Sequence, residues 1–455
     1  MKEKFTTLLT IKRMGINGEG IGYYKRKTVF VPFALPNEEV FTEFDNEKEK
    51  FIEGRLSRIK IQSPHRVKAP CPYYEHCGGC QVQHLKYEQQ LEMKKDIVIQ
   101  SLERYLKDYK NLGIHIKNTI GLEEPYYYRN KAQMPVSYDG NKLITGLYEI
   151  NSNKLVRVDT CMIQDNKIDQ IIDLLKNLLM EQNIKAYNRK TNTGVLKHIS
   201  VRYIDTTNEA QVVLVLENKN INLLKFSTIA ENTMKKFTEV KSFFININSD
   251  RNTHEIYGKE FIKIEGVDTI TSMIGDTKYK LSPQSFFQLN TRQTKVLYDV
   301  ARSLAELKET DHIIDAYCGA GTIGQYLAKH VKEVRGVESI KQAIIDAREN
   351  AILNGLTNTY YEAGRAEEVI PKWIKTGFKP NVLIMDPPRS GVDQKLLNLL
   401  NEIKIERVVY ISCNPSTLAK DLNELQNSYH IQVIQPVDMF PQTAHVESVV
   451  LLVRK

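Results

Sequence analysis

From residue 311 to the C-terminus, short apolar runs alternate with stretches of helical spacing. His312-Ile313-Ile314-Asp315-Ala316-Tyr317, Glu333-Val334-Arg335-Gly336-Val337-Glu338, Tyr360-Tyr361-Glu362-Ala363-Gly364 and Asn381-Val382-Leu383-Ile384-Met385-Asp386 read as strands. Val408-Val409-Tyr410-Ile411-Ser412, residues 431–437 and Val449-Val450-Leu451-Leu452-Val453 continue the series. Helical stretches fall between them, for instance from the glycine loop to about residue 330 and over 416–425. Strand and helix in turn predict a doubly wound sheet.

The N-terminal part has a different rhythm. Over 8–61, short strands such as Thr28-Val29-Phe30-Val31 are broken by Gly15, Gly18, Gly20, Gly22, Pro32 and Pro36, the punctuation of a small all-β barrel. Farther on, Leu91, Val98, Leu102 and Leu106 recur at helical intervals and predict a helix over 87–106. Helices such as 167–180 then alternate with strands such as Gln211-Val212-Val213-Leu214-Val215-Leu216, an α+β region. The expected organisation is multidomain α/β: an N-terminal barrel over 1–61, a central α+β domain over 62–275, and a Rossmann-like domain over 276–455. On pattern alone Phe286 and Phe287 belong to the core, and Tyr126-Tyr127-Tyr128 reads equally as a strand edge or as rings that stack on bases.

Composition narrows the class. The 455 residues suit three domains at ~150 residues each. A net charge of +8 suits a polyanionic partner such as nucleic acid. No uncharged run approaches the ~18 residues that cross a bilayer, and residues 1–14 do not read as a signal peptide, so the cytoplasm is expected. There, six cysteines point to metal binding or catalysis rather than disulfides.

Three of them are crowded into Pro70-Cys71-Pro72-Tyr73-Tyr74-Glu75-His76-Cys77-Gly78-Gly79-Cys80. Glycine and proline can hold several sulfurs at one centre, and this spacing favours an iron–sulfur cluster over zinc, with a Cys77–Cys80 redox pair as a third reading. Cys161 lies far downstream, and spacing does not assign it. In the barrel, Tyr23, Tyr24, Lys25, Arg26 and Lys27 combine rings and cations as RNA-binding barrels do.

The C-terminal half carries the reaction chemistry. Cys318-Gly319-Ala320-Gly321-Thr322-Ile323-Gly324 lies between a strand and a helix, where glycines let a ligand approach the main chain. Glu338 closes the next strand at the position that bonds ribose hydroxyls, so a nucleoside-type cofactor is expected. Asp386-Pro387-Pro388 makes a rigid lip, and Cys413 follows a strand at the same edge. This set suits methyl transfer to a pyrimidine: a thiolate adding at C6 makes C5 nucleophilic, and a base must later remove the C5 proton. Cys413 and Glu447 would fill those roles. A Cys413–His445 hydrolase dyad competes for the thiol but leaves the glycine loop idle.

These motifs resemble the S-adenosylmethionine-dependent RNA uracil-5-methyltransferases. The likeness is carried by Ser285-Phe286-Phe287-Gln288-x-Asn290, Asp315-x-Tyr317-Cys318-Gly319-x-Gly321, Asp386-Pro387-Pro388-Arg389, Ser412-Cys413-Asn414-Pro415 and His445-Val446-Glu447, in that order. The resemblance implies that Gln288, Tyr317, Glu338 and Asp386, with the Gly319 and Gly321 loop, bind S-adenosylmethionine, that Cys413 is the nucleophile, and that Glu447 accepts the proton. Residues 18–32 resemble a TRAM module, and Cys71, Cys77, Cys80 and Cys161 match the family's 4Fe-4S ligands. Barrel and cysteines together are similar to the enzymes of large-subunit (23S) rRNA, with a tRNA enzyme of the same mechanism as the alternative. A monomer with no obligate protein partner is expected. A flipped target base would be replaced in its stack by Phe286, Phe287 or the 126–128 tyrosines. An RNA cytosine-5 methyltransferase and a non-catalytic assembly factor are the remaining readings.

Overall fold

The structure, a computed structural model, describes residues 6–150, 152–251, 253 and 255–455. Residues 1–5 of the expected N-terminal module lie outside the described residues. Strands Thr6–Thr10, Glu39–Glu47, Phe51–Ile61, Lys27–Val31, Gly20–Tyr24 and Arg13–Met14 neighbour one another in that order in a six-stranded sheet. Leu9, Ile11, Val29, Val31, Ala34, Val40 and Ile52 form its own small core.

A seven-stranded sheet occupies the middle of the chain, running Leu155–Arg157, Lys142–Tyr148, Lys131–Asp139, Leu196–Ile204, Glu209–Leu216, Val240–Ile247 and Glu260–Gly266. Alternate side chains such as Ile199, Val201, Val212 and Leu214 bury against helices Asn166–Glu181 and Leu223–Lys236, while Val213 and Val215, on the other face, are buried as well. The 126–128 tyrosines are not a strand. Tyr128 is buried, with its hydroxyl donating to the Pro441 carbonyl at 2.9 Å, while Tyr127 stands 43% exposed.

The C-terminal sheet has eight strands: Thr359–Ala363, Glu333–Glu338, His312–Ala316, Val382–Met385, Arg407–Ser412, Glu447–Arg454, Tyr429–Val437 and His115–Ile116. The first five are parallel, and Glu447–Arg454 runs antiparallel to both neighbours. Two pieces of the central segment join this unit. His115–Ile116 extends the sheet edge, and helix Tyr87–Tyr105 buries Met93, Ile97, Val98 and Leu102 in the same core as Leu418, Ala419 and Leu422. The helix ends at Leu106, which has extended backbone.

The Phe286–Phe287 pair departs from the pattern-based expectation. Phe287 is in the core beside Tyr279, but Phe286 is 80% exposed. No helix among the described residues is long and apolar enough to cross a membrane.

Candidate active site

Strand order reverses around His312–Ala316, whose neighbours lead away in opposite directions. In an open α/β sheet the crevice at the strand carboxyl ends opens at such a point. Tyr317, Gly319 and Gly321 follow this strand, all with left-handed backbone at φ 63°, 53° and 76°. A Cβ at Gly319 would meet nothing within 4 Å, so this side of the loop faces open space. At Gly321 a Cβ would lie 2.7 Å from Gln325 Nε2 and 2.9 Å from the Tyr361 hydroxyl, and only glycine fits. Helix Thr322–Leu327 starts there, and the Gly324 N–H donates to Asp315 Oδ2 at 2.9 Å.

Asp315 is buried, and its Oδ1 has no hydrogen-bond partner. Burial pushes this carboxyl up to about 7, with Asp386 and Glu338 adding to the rise. Asp315 thus feels two further acids at the switch point, and a group carrying hydroxyls, an amine or positive charge fits there. Glu338 closes its strand, accepting from Ser339 Oγ and the Ile340 N–H at 2.9 Å each. Gln288 is half-buried, and its carbonyl accepts from Asn130 Nδ2 at 2.9 Å.

The sheet register brings the thiol and the late glutamate together. Ser412 pairs with Ser448 across antiparallel strands, so Cys413 and Glu447 are one step beyond that pair at the same edge. Asn414 caps helix Pro415–Leu425 through Ser416 N, and its Nδ2 donates to the Arg389 carbonyl at 3.0 Å. Thr417 Oγ1 donates to the same carbonyl at 3.3 Å, tying the Asp-Pro-Pro-Arg lip to the cysteine turn.

Burial pushes the Cys413 thiol up to about 11, reinforced by the charges of Glu447 and Asp386 and opposed by Arg389. Glu447 is buried and raised to about 8, mainly by loss of water, then by Asp386, with Arg389 opposing. Asp386 is raised to about 7 by desolvation. Cys413, Asp386, Glu447 and Arg389 therefore form one electrostatic group, in which burial favours the neutral acids and Arg389 favours the anions. Arg389 was not assigned a role from sequence; the cation immediately after the Asp-Pro-Pro lip was the available signal. His445 is exposed, and no hydrogen bond joins it to Cys413 among the described residues.

The other four cysteines lie elsewhere. Cys71, Cys77, Cys80 and Cys161 line a cavity of about 230 Å³ with Arg129, Lys131, Gln83 and Gln164, and no carboxylate lines it. The Cys161 N–H donates to Asp169 Oδ2 at 2.7 Å, and Gly79 N–H to Cys77 Sγ at 3.4 Å. Burial raises the Cys80 thiol to about 12 and the Cys161 thiol to about 11, the latter opposed by Arg129. Among the described residues, no three His, Cys, Asp or Glu side chains converge closely enough to hold a metal ion as they stand. The four-thiol lining is a donor set suited to a soft centre.

Fold and crevice define a methyltransferase that uses S-adenosylmethionine, and comparison with known proteins makes its substrate RNA. An uncharacterised RNA methyltransferase from Bacillus cereus is 47% identical over 448 residues, covering 98% of this chain and 96% of that protein. Another from Halalkalibacterium halodurans is 45% identical over 446 residues, with the same shares covered. The solved structure of Pyrococcus abyssi tRNA (uracil-54, C5)-methyltransferase in complex with S-adenosyl-L-homocysteine is similar with a TM-score of 0.76 and 28% identity. That likeness covers 98% of this chain and all of that one, 100%. A profile of the tRNA (uracil-5-)-methyltransferases matches residues 86–455, and the chain belongs to that family.

Proposed function

We propose that this protein methylates C5 of a uridine in RNA through a covalent adduct between Cys413 and C6 of the base. The adjacency of Cys413 and Glu447 at one sheet edge, with Asp386 beside them, carries this reading. Bound S-adenosylmethionine supplies a sulfonium methyl group. Tyr317, Gly319, Gly321, Glu338, Asp386 and Gln288 are the residues that would hold it. Cys413, only half-buried, gives its proton to water, and its sulfur forms a bond to C6 as the C5–C6 π electrons move toward C5 and the C4 oxygen. C5 then takes the methyl group. Glu447 accepts the C5 proton, the C5–C6 double bond re-forms, and the C6–S bond breaks to free Cys413. Burial that raises Glu447 to about 8 gives it the basicity this step needs near neutral pH.

For the substrate we infer large-subunit 23S rRNA, on the combination of the N-terminal barrel with the four cysteines. Tyr23, 58% exposed, together with Lys25 and Arg26 in the turn after Gly20–Tyr24, supports reading 1–61 as a TRAM-type RNA-binding unit. The likeness to the Pyrococcus abyssi tRNA enzyme over 98% of this chain favours a second reading, tRNA. We read Cys71, Cys77, Cys80 and Cys161 as ligands of a 4Fe-4S cluster, because four soft donors around 230 Å³ suit a polynuclear centre. Such a cluster would crosslink 71–80 to Cys161, and the methyl-transfer steps use no electron from it. The six free cysteines suit a cytoplasmic setting. The remaining 62–275 is read as the central unit and 276–455 as the catalytic unit, to which Tyr87–Tyr105 and His115–Ile116 add a helix and an edge strand.

The test is methyl transfer from labelled cofactor to purified unmodified rRNA and tRNA, with Cys413→Ala alongside and the product mapped. Methyluridine on 23S rRNA, absent with the variant, is the expected result. Label on tRNA alone would move the substrate to the second reading, and label that survives Cys413→Ala would sink the adduct mechanism.

A further inference from the structure

Glu447 is preceded by a loop with an unusual number of fixed points. Val437 pairs with Glu447 in the sheet, so 438–446 is a closed excursion with Gln442 at its apex. Gln442 is 1% exposed and has left-handed backbone at φ 70°, a conformation a non-glycine residue holds only when its surroundings enforce it.

Those surroundings are two other segments. The Gln442 carbonyl accepts from the Gln81 N–H at 3.1 Å and the Val82 N–H at 3.2 Å, the two amides that follow Cys80. The Gln442 N–H donates to Gln90 Oε1 at 3.1 Å, and Gln90 Nε2 faces Gln442 Oε1 at 3.0 Å. Gln90 Nε2 also faces the Val82 carbonyl at 3.1 Å and the Leu85 carbonyl at 2.9 Å, so its two hydrogens serve three acceptors. Val82, Gln442 and Gln90 thus close a buried hydrogen-bond ring. Gly18 of the N-terminal sheet seats against the same place, where a Cβ would come within 2.9 Å of Gln81 Cβ and 3.3 Å of Ala444 Cβ.

We propose that Gln90 and Gln442 are positioning residues for Glu447, fixing the apex of its loop to the cysteine loop and to helix Tyr87–Tyr105. The proposal rests on the reading of Glu447 as proton acceptor. Downstream, Glu447 is held by its strand; upstream, Tyr87, Lys94 and Tyr128 hold Asp438, Phe440 and Pro441, and the ring fixes the apex between those anchors and Glu447. Cys413 sits on a different strand and turn, tied to Arg389, and does not depend on the ring. Loosening the ring therefore slows removal of the C5 proton while leaving attack on C6 intact, and the methylated base stays bonded to Cys413.

Gln90→Leu and Gln442→Leu test this by denaturing-gel detection of the covalent protein–RNA adduct, with Glu447→Gln as the reference. In both leucine variants the adduct accumulates as in Glu447→Gln, and kcat falls about 10- to 100-fold, the scale of an ångström-sized misplacement, while KM for RNA is held. The double variant is no slower than Gln90→Leu alone, because the Gln442 carboxamide reaches the ring only through Gln90 Nε2. Gln442→Gly keeps the left-handed turn and the carbonyl but lacks the carboxamide, and carries the same expectation if the leucine variants do not fold. Lowered turnover without accumulated adduct, or additive losses in the double variant, would overturn the positioning role. If Glu447→Gln itself traps no adduct, the proton-acceptor assignment fails instead.

Discussion

Lys94 and Asp438 form an ion pair in which both side chains are fully buried, 0% exposed on each. Lys94 lies in helix Tyr87–Tyr105 and Asp438 at the foot of the loop that leads to Glu447. The Lys94 ammonium also donates to the Phe440 carbonyl at 3.1 Å, and the Tyr87 hydroxyl donates to Asp438 Oδ2 at 2.9 Å. A charge this deep is tolerated only with its partner. Lys94→Met leaves Asp438 uncompensated and should cost about 3–5 kcal/mol in denaturant unfolding. Lys94→Met with Asp438→Leu removes both charges and should recover more than half of that loss. A double variant as unstable as the single one would show that the pair's value lies in its other hydrogen bonds.

Arg389 opposes the burial that raises both Cys413 and Glu447. Proton acceptance needs Glu447 ionised, so the log of the rate of adduct breakdown should climb with slope about 1 up to pH near 8. In Arg389→Met that favourable charge is lost, both groups titrate higher, and the profile moves to alkaline pH. Because Arg389 is exposed and screened by salt, the loss at pH 7 should be only about three- to tenfold, and it should shrink at pH 9. A pH–rate profile of both proteins checks it; an equal loss at every pH would assign Arg389 to RNA binding instead.

The strand–helix alternation after residue 311 was legible because each strand there is a short apolar run closed by a polar residue, and Asp386 and Cys413 follow such runs. Glu447 was legible as the base that such a reaction needs, but its nearness to Cys413 was not, since that comes from an antiparallel register that no local pattern encodes. Helix Tyr87–Tyr105 was visible as a helix, but not as part of the catalytic core, because periodicity reports which face is buried and not against what. The Lys94–Asp438 pair and the Gln90–Gln442 ring join positions 344 and 352 residues apart. A lone lysine or glutamine in a polar helix carries no sign of such a partner.

The Phe286–Phe287 dipeptide makes opposite predictions for adjacent residues. Phe287 is 4% exposed and packs on Tyr279, so Phe287→Ala should destabilise the fold by about 3–5 kcal/mol. Phe286 is 80% exposed, two residues before Gln288, and its removal should leave stability within about 0.5 kcal/mol. If Phe286 fills the stack left by the flipped uridine, Phe286→Ala should lose about 1–3 kcal/mol in RNA affinity or in the single-turnover barrier. Unchanged affinity and rate would leave that ring without a part in base flipping.

Glu447 should set a cost in stability that grows with pH. Its carboxyl ionises near the ordinary 4.5 in the unfolded chain and near 8 in the folded protein. Below the lower value both states hold the proton and the residue contributes nothing. Between the two, the unfolded chain releases the proton while the folded protein keeps it, so stability falls as pH rises; above about 8 the loss is complete. Glu447→Gln keeps the shape but cannot ionise. It should match the parent protein near pH 4 and exceed it by about 2–4 kcal/mol at pH 8.5, read as a rising difference in denaturant midpoint. The same substitution abolishes turnover in the proposed mechanism, so the buried carboxylate is kept at the expense of the fold. A difference that stays flat from pH 4 to pH 8.5 would mean that Glu447 ionises normally in the folded protein, and the basicity assigned to it would have to come from elsewhere in the site.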